Sequence, residues 1–232
     1  MLLFINILLA LLRGDSIYWE NLTSEKQNDV VKEVMKEDLY VSRYLRGEFH
    51  VSDNSNTDSL FTHISDLRKK NDIKSYYFYL FNQFIDTSDG AVLDLLCCHI
   101  SDLIMSEPKY VMTYLRDHPE LSQKYSLYLA YSLAVSDMGV STNNYDTAVH
   151  ELSRMKEKII AIVKDNELLK EYVCSFFTKQ KEISEKLCDD RLSFKYRGSF
   201  VFRTGADGRT VLESIAYAGC RLVAEKPGAL AS

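Results

Sequence analysis

Proline is nearly absent from this chain, three residues in 232, and glycine is scarce over most of its length. Gly14, Gly47, Gly90 and Gly139 precede residue 198, whereas Gly198, Gly205, Gly208, Gly219 and Gly228 crowd the end, a shift that marks a boundary. The five cysteines, Cys97, Cys98, Cys174, Cys188 and Cys220, show neither CxxC nor Cys/His zinc spacing, which argues against a disulfide scaffold and a structural metal. Basic residues are outnumbered, and the net charge of -5 with a pI near 5.6 excludes the cationic footprint that a duplex nucleic-acid binder needs. Arg68-Lys69-Lys70 is the densest basic cluster, and it reads as a helix end where cations favour the macrodipole. What remains is a chain 46% hydrophobic, long enough for one substantial core or one core plus a small appendage.

The chain opens MLLFINILLALLRGDSIYW. Leu2 to Leu12 has the length of a signal-peptide core and is too short to span a bilayer, and Gly14 and Ser16 offer small residues for a cut before Ile17. The positively charged start of such a signal is missing, so two readings stand: residues 1–16 as a signal peptide, or a retained cytosolic helix. No cysteine follows the apolar run, which excludes a lipoprotein anchor and leaves no stable membrane attachment after signal removal. Gly14-Asp15-Ser16 resembles the start of the GDSL/SGNH esterases, but that family pairs its serine with a late Asp-x-x-His. The residues three before each histidine here are Gly47, Leu60, Leu96, Leu115 and Thr147, so the partner is missing. Arg13-Gly14-Asp15 has no force without a presenting loop. The sequon Asn21-Leu22-Thr23 matters only in a glycosylating host.

From Asn21 onward the periodicity is helical. Ser24 to Gln27 reads as a capping box ahead of Val30, Val31, Val34 and Met35. A short segment around Leu39 to Leu45 ends at Gly47, and His50 to Asn56 reads as a loop. Thr57 or Asp58 then caps a helix carrying Leu60, Phe61, Ile64 and Leu67. In IKSYYFYLFNQFID the apolar and aromatic residues surround the helix, which predicts a central helix covered on more than one side. Ser88 caps a helix whose Leu93, Leu96, Cys97, Ile100, Leu103 and Ile104 share a face. Pro108 and Pro119 each open another, and Gly139 closes the last. Two long helices follow, divided at Asp165-Asn166. The predicted fold is mostly α over residues 20–195: an antiparallel helical stack, either a HEAT-like solenoid or an irregular bundle.

Residues 196–232 differ. Phe200 and Phe202 alternate with smaller or charged neighbours, Gly205 to Gly208 is turn-rich, and Thr210 to Ile215 reads as a returning strand. The tail is either a small β-hairpin docked on the helices or non-native sequence.

Chemistry is sparse. In DLLCCHISD a continuous helix would put Asp94 with Cys98 on one face and His99 with Asp102 on another, so Cys98, His99 and Asp102 are the candidates for a cysteine-dependent enzyme. Adjacent residues on a helix point about 100° apart, poor geometry for one metal ion shared by Cys98 and His99. His150-Glu151 begins a zincin-like pattern that fails at Arg154, and no Gly-rich phosphate loop, GxSxG or EF-hand loop occurs. Cys97 and Cys174 could meet in one disulfide if the chain is exported, or remain buried thiols. The expectation is therefore a non-catalytic helical interaction module without cofactor or metal, exported to the periplasm and acting on a protein partner. It resembles, in general look only, the small exported helical proteins of bacteria, including immunity proteins that neutralise toxins. The alternatives are the cysteine enzyme and a cytosolic scaffold.

Overall fold

Side-chain caps from Thr23, Asp38, Asn54 and Asn166 set where four of the helices begin, and some begin elsewhere than the pattern of apolar residues predicts. The computed structural model describes the backbone of residues 17–136, 144–188, 198–204, 210–217 and 220–221, and the side chains through residue 182 apart from 131 and 133–148. The signal-segment reading of residues 1–16, the stop at Gly139 and the turn at Gly205 to Gly208 lie outside these described residues.

After a single 3-10 turn, Trp19–Asn21, helix α1 runs Ser24–Glu37. Its cap is Thr23, one residue before the expected box: the Thr23 hydroxyl accepts from the Lys26 amide at 3.3 Å. Gln27, expected to reach back to the cap, instead donates its side-chain amide to the Trp19 carbonyl at 2.9 Å. Asp38 ends α1 and caps α2, Leu39–Leu45. The chain then turns at Gly47, whose φ of +68° an L side chain adopts only with strain.

Helix α3, Ser55–Ser65, starts earlier than expected, because Asn54 caps it by accepting from the Asn56 and Thr57 amides at 2.9 and 3.1 Å. Thr57 is thereby drawn into the helix and fully buried, where its hydroxyl accepts from the Ser52 amide at 3.1 Å and ties down the preceding loop. Arg68-Lys69-Lys70 lies in the connection after α3, where Arg68 and Lys69 pair with Asp66 and Lys70 pairs with Glu33.

Helix α4, Asn71–Thr87, is the central helix the sequence predicts. Ile73, Tyr76, Tyr77, Phe78, Phe81 and Ile85 are all buried although they spread over about half of its circumference, leaving Gln83, Asp86 and Thr87 exposed on the remaining side. Each such side chain contributes about 2 kcal/mol by leaving water. Ser88 closes α4, donating its amide to the Phe84 carbonyl, and does not cap the next helix as expected. Helices α5, Gly90–Cys98, and α6, Ile100–Ser106, are interrupted at His99, whose amide makes a tight bond back to Leu96. The predicted stripe Leu93, Leu96, Cys97, Ile100, Leu103 and Ile104 is nevertheless buried throughout.

Pro108 and Pro119 open α7, Pro108–Asp117, and α8, Pro119–Ser136. Helices α9, Asn144–Ile162, and α10, Glu167–Cys188, follow, divided where expected, with Asn166 capping α10 through the Leu169 amide at 3.1 Å. Leu152, Met155 and Ile159 are buried along α9 and Val163 just past its end, whereas Ile162 is 51% exposed beside the turn. The result is a mostly helical bundle with one contiguous core. Among the described residues no helix is long and apolar enough to cross a membrane.

Candidate functional site

Helix α3 carries two histidine–carboxylate pairs, one near each end. At its C-terminal end His63 reaches Asp38, the residue between α1 and α2. Asp38 is 8% exposed, and its carboxylate is fully used. Oδ1 accepts from the Tyr40 and Val41 amides at 3.0 and 3.1 Å, as a helix cap does. Oδ2 accepts from the Tyr77 hydroxyl at 2.7 Å and lies 2.9 Å from His63 Nδ1. Burial pushes the Asp38 carboxyl up, but the bonds from Tyr77, the Val41 amide and His63 outweigh it and hold the group below its ordinary value. The Tyr77 phenol is pushed well above its usual range, first by burial and then by Asp38, so Tyr77 remains the donor.

An ionised carboxylate only accepts, so His63 Nδ1 carries the proton of the bond and Nε2 is the acceptor in the neutral ring. The His63 side chain is 41% exposed and its ring lies 4.8 Å from that of Tyr40. A carboxylate-held imidazole of this kind suits a metal ligand or a general base. Among the described residues, however, no group of three or more His, Cys, Asp or Glu side chains could hold a metal ion.

At the other end of α3, Asp58 accepts from His99 Nε2 at 2.9 Å. Here the histidine is buried and the carboxylate side chain is 54% exposed. The His99 ring meets the Phe61 ring edge-on at 6.1 Å. His99 therefore sits at the break between α5 and α6 and turns to α3, not to Asp102 on its own helix.

That placement takes apart the expected Cys98, His99 and Asp102 constellation. Cys98 is exposed, and its sulfur donates to the Asp94 carbonyl at 3.4 Å. Partial burial, then the Asp94 and Asp58 carboxylates, push its thiol up, away from the reactive thiolate. Cys97 lies in the core and burial pushes it up as well, while Cys174 on α10 is half-buried; Cys97, Cys98 and Cys174 are free thiols. His150 and Glu151 lie on α9, where Glu151 pairs with Arg154, the residue that breaks the zincin-like pattern.

Asp38, Asp58, His63 and Tyr77 were not apparent as site residues in the sequence. A signal did exist for two of them. An Asp directly before Leu39 is a strong cap, and a tyrosine among the apolar residues of a central helix must find a hydroxyl partner. No protein-family model, no curated protein and no solved structure matches this chain.

Proposed function

We propose that the chain is a non-catalytic α-helical protein-interaction module, exported to the periplasm, and that it acts as a binding or inhibitory partner of another protein. The observation that carries the non-catalytic part is the fate of Cys98: its neighbour His99 gives its ring N–H to Asp58, and partial burial, then two carboxylates, push the thiol up. A cysteine nucleophile asks for the opposite, an adjacent base or a positive surrounding that stabilises the thiolate. The polar groups of the Asp38 cluster are spent on capping α2 and joining it to α3 and α4. Export rests on the apolar run Leu2 to Leu12 with small residues before Ile17.

In finer detail we read residues 20–195 as an irregular bundle and not a HEAT-like solenoid. What supports this is that α1 packs on α4, α5 on α8 and α7 on α10, each across intervening helices, where a solenoid repeat touches its neighbours. We read residues 196–232 as a native hairpin. Support comes from the antiparallel pairing of β1, Gly198–Thr204, with β2, Thr210–Tyr217, broken by a register shift between Val201 and Phe202.

Two measurements test the functional reading. Alkylation of the native protein across pH should show Cys98 reacting with the profile of an unactivated thiol, and Cys98→Ser should leave partner binding intact. A thiol that reacts as thiolate at neutral pH would revive the cysteine-enzyme alternative. Intact mass and compartment of the untagged protein test export: a periplasmic species beginning at Ile17 agrees with it, and a full-length cytosolic species overturns it in favour of the scaffold alternative.

A further inference from the structure

Residues 17–22 form a strap across α4 and α7. The backbone is extended at Tyr18 and at Leu22, on either side of the single 3-10 turn Trp19–Asn21, in which no residue is buried. Consecutive side chains take opposite walls. The Tyr18 ring packs on Tyr110 and Tyr114 of α7 at 5.0 and 4.8 Å, while the Trp19 ring packs on Tyr76 and Tyr79 of α4 at 4.6 and 5.7 Å. Phe78 of α4 meets both α7 tyrosines edge-on and so forms the floor between the walls.

The polar contacts are equally specific and come from side chains of the body. Tyr110 donates its hydroxyl to the Ile17 carbonyl at 2.9 Å, Tyr114 donates to the Glu20 carboxylate at 3.0 Å, and Gln27 donates to the Trp19 carbonyl. The strap is thus recognised by two aromatic side chains, an acidic group and its own carbonyls, which is how a groove reads an extended peptide. Tyrosine is suited to this, presenting a rigid apolar face and a hydroxyl together.

We propose that the α4–α7 face is a recognition groove for an extended segment of a partner protein bearing two adjacent aromatic residues followed by an acid, and that Tyr18-Trp19-Glu20 fills it in cis. The strap is then a competitor that the partner displaces. A tethered segment acts at an effective concentration of about millimolar, so the groove is closed to weak ligands while the strap is docked and open once it is released. This deepens the interaction reading by giving it a surface, and it rests on that reading for its partner.

The test uses the full chain with the strap emptied, Tyr18→Ala/Trp19→Ala, and a fluorescent synthetic peptide spanning residues 15–23. The emptied variant should bind the peptide at least about tenfold more tightly than the unaltered protein does, as removal of an intramolecular competitor requires. Adding Tyr110→Phe or Tyr114→Phe should weaken that binding by about five- to tenfold, one hydrogen bond's worth. An emptied variant that is helical by circular dichroism yet binds no peptide overturns the groove without touching the thiol measurement above. If the variant fails to fold, hydrogen exchange on the unaltered protein decides: strap amides should exchange much faster than those of α4, and exchange only on global unfolding overturns a displaceable strap. A dimer of the unaltered protein that dissolves in the emptied variant would make a second copy the occupant and overturn the partner assignment.

Discussion

At the C-terminal end of α3 the carboxylate is buried and the imidazole exposed; at the N-terminal end the two roles are exchanged. The two bonds have the same length, 2.9 Å. Their surroundings differ. Asp38 is buried because it serves four donors at once, two amides of α2, the Tyr77 hydroxyl and His63. Asp58 is exposed and serves the one buried ring that interrupts α5 and α6. An identical pairwise geometry can therefore be central to one junction and a convenience at another, according to what else the buried member holds. The partner facing water can be replaced by water; the buried one cannot.

The largest effect should come from Asp38→Ala. It removes the α2 cap and leaves the buried Tyr77 hydroxyl unpaired, for a loss of about 3 kcal/mol in a urea or thermal unfolding measurement. The pH dependence has a definite sign. The folded carboxyl titrates below its unfolded value of about 4, so its contribution is full above that pH and fades as the pH falls through the folded value. The variant should accordingly lose less stability than the unaltered protein as the pH is lowered below about 4.

His99→Ala comes next, at about 2 kcal/mol, since it removes a buried ring against Phe61 and leaves a cavity at the α5–α6 break. Asp58→Ala should cost only about 0.5 kcal/mol, because water can reach the imidazole through the space the carboxylate leaves. Equal losses from the two changes would break the comparison, for they would place the energy in the bond itself and not in the buried member.

The sequence made the bundle legible where apolar spacing was dense. The wide burial of α4 and the stripe from Leu93 to Ile104 follow from side-chain periodicity alone, which needs no knowledge of neighbours. Helix starts were less legible, because several polar residues compete for each cap: Thr23 displaced Ser24, Asn54 displaced Thr57, and Ser88 proved to be a terminator. The pairings that make the site were not legible. Asp38 and His63 are 25 residues apart and Asp58 and His99 are 41, so both pairs depend on how the helices fold back, which periodicity does not record. Reading DLLCCHISD as one helix paired His99 with Asp102; the break at His99 instead turned the ring toward α3.

Gln180 on α10 supplies a third case against which to set the two pairs. It is fully buried, and among the described residues neither its amide nitrogen nor its oxygen has a hydrogen-bond partner. A buried polar group without partners costs free energy, where Asp38 with its four donors contributes it. Gln180→Met, close in volume, should therefore stabilise the protein by about 1 kcal/mol, read as a higher urea midpoint with unchanged slope. A loss instead would mean that the amide is satisfied in solution, and that burial without partners is no contrast to Asp38.

His63→Ala should have an effect as small as that of Asp58→Ala. The ring is 41% exposed, and its removal leaves Asp38 with the Tyr40 and Val41 amides and the Tyr77 hydroxyl. A hydrogen bond from a ring this exposed contributes little, and about 0.5 kcal/mol is expected here. The informative quantity is the ratio to Asp38→Ala. If the histidine costs a small fraction of what the carboxylate does, Asp38 is buried for the cap and the phenol, and His63 is an added surface contact. If the two losses match and add to no more than either alone, the carboxylate is held chiefly to orient His63. Nε2, the acceptor of an exposed and fixed imidazole, would then become the atom on this protein most worth probing for chemistry.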